Sequence, residues 1–382
     1  MVYEIKQEIE ASQVAIASES GPPRRNPALD YVRAFAVLMV IAYHSVQMSP
    51  LPLPRLRILT SYGEYGVDLF FVLSGWLIGG LYWRERRANG RVALGRFWAR
   101  RWMRTLPPYF VALAASWAAV SWVRREPFDW GYLVFAQNYY AHIPYFLVSW
   151  SLCVEEHFYL IAPLAAAGVA SFARGRLWLV CWASIVILSP LLRAFELPPA
   201  DGFGYAGTAT HLRLDGLVLG FGASRLSVYA PQAMQALARR APIFLAACIP
   251  ALVVVRMSGA LVTYVLWPFV VALAFTAIVV VAGSREPRSC AAGSFSRIVR
   301  AVALASYSAY LVHPLCIHVA RLAAFRAGSA DWIIYWLFAP SLIATASAAF
   351  YFLCEKTSVA LRDIVVPASN RTILKKETVA PH

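Results

Sequence analysis

The chain has 382 residues, 60% of them hydrophobic and 14% charged, with a mean hydropathy of +0.57. A soluble domain carries roughly a quarter of its residues as charged side chains, so this composition excludes an ordinary water-soluble enzyme and specifies an integral membrane protein. The formal net charge of +15 does not indicate a nucleic-acid binder, because the basic residues lie between hydrophobic runs, where they act as orientation signals and as a candidate anion site.

In chain order, residues 1–27, "MVYEIKQEIEASQVAIASESGPPRRNP", are polar and of mixed charge. They lack the apolar core and small-residue cleavage site of a signal peptide and are expected to form a flexible cytoplasmic arm. A spanning helix needs about 20 mostly apolar residues. Segments of that kind lie near 28–47, 64–82, 105–123, 146–170, 177–192, 208–223, 242–256, 261–282, 302–321 and 332–353. The sixth contains Arg213 and Asp215, and the seventh is short. The expected fold is therefore an all-α integral membrane protein, a bundle of about ten transmembrane helices over 28–356, with a basic cytoplasmic tail over 357–382. Ten spans put both termini on one side. The loops and termini of that side then carry 25 of the 35 Lys and Arg residues, against 8 on the other, so the positive-inside rule makes both termini cytoplasmic. The six cysteines are scattered, mostly in apolar runs and without a paired metal-binding spacing. They read as packing residues and no metal site is expected.

The polar residues inside these segments carry the chemistry. Arg33 and His44 are 11 residues apart, which at about 100° per residue brings both to one face of a helix, roughly 16 Å apart along its axis. In the expected topology Arg33 lies near the cytoplasmic face and His44 near the outer face. Asp68, Glu155, Arg213, Asp215 and His313 fall by the same reckoning in the outer half. Ionisable groups in a bilayer face a shared interior and pair with one another. At the inner face, "GRFWARRWMRTLPPYF" places Arg101 and Arg104 three apart on one helical face. With Arg33 they form a clamp suited to a phosphorylated ligand. The inventory points to a substrate with a polyanionic head in the cytoplasm and a reactive end within the membrane.

Several stretches resemble the acyltransferase-3 family of multi-pass membrane acyltransferases, over about Asn26 to Glu355. "NPALDYVRAFAVLMVIAYHS" resembles its first-helix signature of Arg, ten residues, then His. "GVDLFFVLSGWLIG" and "RRWMRTLPPYF" resemble the second-helix motif and the basic stretch before the third helix. "SWSLCVEEHFYL" is similar to its Trp-Ser-Leu…Glu…Phe-Tyr motif, carried by Trp150, Ser151, Leu152, Glu155, Phe158 and Tyr159. "SYSAYLVHP" and the glutamate of "YFLCEK" complete the set.

The resemblance implies transfer of an acyl group, usually acetyl from acetyl-CoA, to a hydroxyl of a cell-surface glycan, in a bacterial inner membrane. It implies that the Arg33 and His44 positions are needed. The chain is expected to be a standalone membrane core, a class whose acceptors also include metabolites such as macrolides. On this reading Arg33, Arg101 and Arg104 hold the acyl-CoA phosphates, and the thioester reaches His44. His44 then serves as general base, or forms an acyl-histidine. Glu155 is the first choice for the carboxylate that orients His44, and Asp68 the second. Arg213, Asp215, His313 and Trp150 are candidates for binding the carbohydrate or glycolipid acceptor. Ser74 and Gly75 read as small packing residues. The rival reading is a proton-coupled transporter, which intramembrane His, Asp, Glu and Arg would suit. Against it stands the lack of repeat symmetry between the halves.

Overall fold

The computed structural model describes residues 25–51, 53–172, 176–196, 198, 204–285, 293–326 and 331–367. Most of the expected arm and residues 368–382 of the expected tail lie outside them, as does Cys290. The described secondary structure is entirely helical. The main helices are α1 (Pro27–Gln47), α2 (Gly66–Asn89), α3 (Leu94–Arg124), α4 (Ser149–Phe172), α5 (Arg176–Arg193), α6 (Asp215–Tyr229), α7 (Pro231–Met257), α8 (Ala260–Ser284), α9 (Ser294–Leu304), α10 (Ser306–Arg326), α11 (Asp331–Phe350) and α12 (Lys356–Val365). Asn26 starts α1 by accepting a hydrogen bond from the Ala28 amide at 2.9 Å, with Pro27 following it in the first turn. An Asn cap and a Pro that needs no amide partner are the local reasons the helix begins there.

Among the described residues, eight helical segments are long and apolar enough to cross a membrane: Pro27–Gln47, Pro54–Asn89, Leu94–Arg124, Ser149–Val169, Pro231–Met257, Ala260–Ser284, Ser306–Arg326 and Trp332–Val365. The other two expected spans are present as shorter helices, α5 with 18 residues and α6 with 15. Helix α6 begins at Asp215, after the 3-10 turn Thr210–Leu212, so Arg213 stands in the turn before the helix and not within a span. The stretch expected as one span from 302 divides at Ala305 into α9 and α10. The expected tail starts as helix: a π turn over Tyr351–Glu355 joins α11 to α12.

Helix α6 reads as a weak span because lipid is not its main neighbour. It packs along α2, where Gly75 and Gly79 lie against Leu217, Phe221 and Ser224 of α6, and Gly216 and Gly220 lie against Phe71, Val72 and Trp76 of α2. A Cβ on Gly75 would lie 2.1 Å from the Leu217 carbonyl oxygen, and one on Gly220 would lie 2.1 Å from that of Val72. Small residues four apart let two backbones touch, which is how helices hold together when lipid removes the hydrophobic drive. Residues 215–224 are all buried, so their polarity costs nothing against lipid. Helices α3 and α7 instead expose Trp122, Val123, Ile243 and Met257. Those apolar surfaces suit a hydrocarbon solvent.

Candidate active site

Helix α1 carries the two ends of the site. Arg33 and His44 sit on one unbroken helix, so their axial separation is about 16 Å.

At the His44 end, His44 Nδ1 lies 3.0 Å from the Val40 carbonyl oxygen and 3.2 Å from His313 Nε2, and His313 Nδ1 lies 3.1 Å from the Ala309 carbonyl oxygen. A carbonyl oxygen only accepts. His313 therefore carries its proton on Nδ1, which leaves its Nε2 as an acceptor. His44 must then carry its proton on Nδ1 and donate it, shared between Val40 and His313. The network assigns this tautomer, and it leaves His44 Nε2 with a bare lone pair. That nitrogen makes no hydrogen bond to a described residue. His313 is fully buried, whereas His44 is only half-buried.

Below the histidines lies a layer of hydroxyls. Ser151 Oγ and the Tyr310 hydroxyl are 2.6 Å apart, and both reach the Val148 carbonyl oxygen at 3.1 Å. One turn further along α4, about 6 Å, is Glu155. It accepts from Ser74 Oγ at 2.7 Å and from the Tyr159 hydroxyl at 2.6 Å, and it lies 3.7 Å from Arg101. Glu155 thus stands in the arginine tier and not on His44. The histidine's partner is a second imidazole in place of the expected carboxylate. Ser74, expected only to pack, is a hydrogen-bond donor here.

The Arg33 end is rich in charge. Arg101 donates to the Tyr159 hydroxyl at 2.5 Å and lies over that ring, 4.1 Å from its centroid. Arg104 is 3.6 Å from Glu355, which accepts from Ser308 Oγ at 2.8 Å. Glu355 closes the π turn, and the extra backbone residue in such a turn is a recurrent device for aiming a side chain. Glu156 is buried and accepts from Thr105 Oγ1 at 3.0 Å. Arg100 pairs with Asp363 of α12 at 2.9 Å. Arg33 makes no hydrogen bond or ion pair with a described residue, and its charged neighbours are Asp30, Arg25, Arg104 and Glu355. A half-buried guanidinium without a close partner is a candidate anion site.

Beside these tiers run two tight ion pairs. Arg213 binds both oxygens of Asp68, at 3.0 and 3.2 Å, and lies 5.3 Å from the Trp150 ring centroid. Arg193 binds Asp215 at 2.7 Å and donates to the Leu212 and Val265 carbonyl oxygens at 2.5 and 3.0 Å. The structure therefore brings together His44 with His313, Arg33 with Arg104, Glu155 with Arg101, and Asp68 with Arg213 and Trp150. Asp215 is committed to Arg193, which lies one residue past the expected span 177–192. Among the described residues, no group of three or more His, Cys, Asp or Glu could hold a metal ion.

An acyltransferase domain family matches residues 26–354. A candidate O-acetyltransferase of Staphylococcus aureus strain MSSA476 is 30% identical over 220 residues, which cover 52% of this chain and 35% of that protein. The O-acetyltransferase OatA of Staphylococcus aureus strain COL is 31% identical over 160 residues, which cover 37% of this chain and 25% of that protein. The matched regions thus span between a quarter and about a third of these relatives' lengths. No solved structure matches the chain.

Proposed function

The chain belongs to the acyltransferase-3 family, and from that premise we propose that it is a membrane-bound O-acyltransferase, moving an acetyl group from acetyl-CoA to a hydroxyl of a cell-envelope or secreted carbohydrate. The observation that carries this reading is the contact of His44 Nδ1 with the Val40 carbonyl oxygen and with His313 Nε2, from which the tautomer of His44 is assigned. Its bare Nε2 is what a general base needs. His44 Nε2 takes the proton of the acceptor hydroxyl as the oxygen attacks the thioester carbonyl. The C–S bond then breaks, and the departing thiolate takes up the proton that His44 holds, so that ester and free CoA thiol are the products. While His44 is protonated, Val40 and the His313 lone pair keep their hydrogen bonds to its Nδ1. This is the role the carboxylate plays in a Ser-His-Asp triad.

The CoA phosphates bind at the other end of α1, on Arg33, Arg101 and Arg104. Charge-assisted bonds from arginine are the strong kind for phosphate. The extended pantetheine arm covers the roughly 16 Å between the two ends. Arg213, Trp150 and Asp68 border the space that the acceptor enters.

For sidedness, the count of spans matters less than its parity. If α5 and α6 both cross, or neither does, every other helix keeps its direction. The basic asymmetry of the loops then puts both termini and the Arg33 end in the cytoplasm, where acyl-CoA is made, and the membrane is a bacterial inner membrane. The acceptor approaches from the far side, because each unpaired hydroxyl costs several kcal/mol in hydrocarbon. The test is purified protein with acetyl-CoA, assayed for free thiol with and without glycan acceptors. Oriented vesicles with acetyl-CoA on the cytoplasmic face and acceptor on one face at a time follow. Thiol release that depends on an acceptor supports the reading. No release with any glycan rejects it, and product only when both substrates share the cytoplasmic face rejects the sidedness.

A further inference from the structure

The His44 end carries a group of side chains that the reaction above does not use. The 3-10 turn Ser61–Tyr65 leads into α2. Side chains three apart eclipse in such a turn, and the rings of Tyr62 and Tyr65 are 6.4 Å apart. Trp267 of α8 completes a three-ring platform, 6.3 Å from Tyr62 at an interplanar angle of 22° and 6.1 Å from Tyr65. Tyr62 is 58% exposed, whereas Tyr65 and Trp267 are half-buried. The platform therefore opens outward at Tyr62 and runs inward at Tyr65.

Hydrogen-bonding groups flank its inner edge. Glu64 is exposed, faces the Tyr43 hydroxyl, and stands within electrostatic reach of Arg213 and Asp68. Arg213 keeps a buried Nε without a partner. Tyr43 precedes His44, and the two rings meet edge to face at 5.1 Å. A chain of contacts thus runs from the open platform to the candidate base.

An aromatic face beside carboxylates and a guanidinium matches one chemistry well. A pyranose ring has an apolar face of C–H groups and an equatorial rim of hydroxyls. The face packs on aromatic rings, and the rim donates to carboxylates and accepts from guanidinium. Tyrosine and tryptophan also gather at membrane interfaces for their amphipathic shape alone, but that role makes no use of Glu64 against Tyr43. We propose that Tyr62, Tyr65 and Trp267 form a stacking subsite for one pyranose ring, with Glu64 accepting from its hydroxyls, on the path to His44. This rests on the reading that the acceptor is a carbohydrate.

The test measures binding without acetyl-CoA, so that it reports on the subsite whether or not the chain transfers acyl groups. The full chain in detergent is titrated with the methyl glycosides of glucose, galactose and N-acetylglucosamine, followed by saturation-transfer NMR. Tyr62→Phe keeps the ring and should hold affinity within about twofold. Tyr62→Leu keeps only the apolar bulk and should lose about tenfold, equivalent to about 1.4 kcal/mol. Glu64→Gln should weaken binding less than the loss of the ring. Thermal unfolding of each variant checks that the fold is intact. Wild-type protein that binds no glycoside overturns the proposal. So does Tyr62→Leu with unchanged affinity, which would return these rings to the interfacial belt. Ring-dependent glycoside binding in a protein that releases no thiol from acetyl-CoA would sustain the subsite and reject the acyltransfer reading.

Discussion

The two ends of the site hold their charges in different ways. Around Asp68 and Asp215 the pairs are short and closed: Arg213 to Asp68 at 3.0 Å, and Arg193 to Asp215 at 2.7 Å with two backbone carbonyls filling further donors. Around Arg33 the inner pairs are long and open, Arg101 to Glu155 at 3.7 Å and Arg104 to Glu355 at 3.6 Å, and Arg33 has no close partner among the described residues, while the short pairs there, Arg25 to Asp30 at 2.7 Å and Arg100 to Asp363 at 2.9 Å, lie at the rim. A closed buried pair commits its guanidinium to one carboxylate and ties two segments together, with Arg213 Nε the one buried donor left over in these two pairs. An open one keeps guanidinium donors for something else, and an anionic ligand would satisfy them. The difference separates charges that hold the bundle from charges available to an anion. The neutral histidine pair lies between them in character, polar but carrying no net charge to satisfy.

The sharpest way to break this comparison is at His44. His44→Ala should lower turnover by about 10²- to 10⁴-fold, the range for loss of a general base, while the protein stays inserted. The measurement is thiol release at saturating acetyl-CoA, and near-normal turnover would make His44 structural. Arg193→Ala attacks a closed pair. It leaves Asp215 buried and uncompensated, and stability should fall by about 3–5 kcal/mol, read as an earlier thermal unfolding transition. A variant that unfolds like wild type would show that the pair carries none of the bundle's stability.

Arg33→Ala attacks the open end and should behave in the opposite sense. Stability should change little, because no protein hydrogen bond is lost. CoA affinity should fall by about 1.5–3 kcal/mol, one charge-assisted contact. Calorimetry with CoA and dephospho-CoA checks this, and unchanged affinity for both moves the phosphates elsewhere. The smallest effect is expected at His313→Ala. It removes one acceptor from His44 Nδ1 and leaves Val40, so turnover should drop by roughly fivefold, about 1 kcal/mol. A loss as large as that of His44→Ala would make His313 a partner in the chemistry itself.

Much of this was legible from local pattern. Apolar runs of membrane length mark most of the helices, because the hydrocarbon imposes a fixed length on any segment that crosses it. Asn26 and Pro27 mark where α1 begins, through capping chemistry that needs no tertiary contact. The separation of Arg33 and His44 follows from helical rise alone. Depth reckoned from where a helix enters was a poorer guide for Glu155. Entry points give the order of residues along one helix, but not the height at which that helix sits against another.

Tertiary packing decided those heights. The glycine contacts at Gly75 and Gly220 set α6 against α2, made a short polar helix part of the core, and left Arg213 in the turn above it to meet Asp68. The π turn before α12 turned Glu355 toward Arg104 and Ser308. The stacking of α10 against α1 gave His44 an imidazole partner and thereby its tautomer. The sequence by itself determined the class, the helices and the kinds of polar group the membrane would enclose, because hydropathy and helical period act within a segment. Which groups meet was decided only by close packing between segments, since contact across helices depends on rotations and offsets that no single segment encodes.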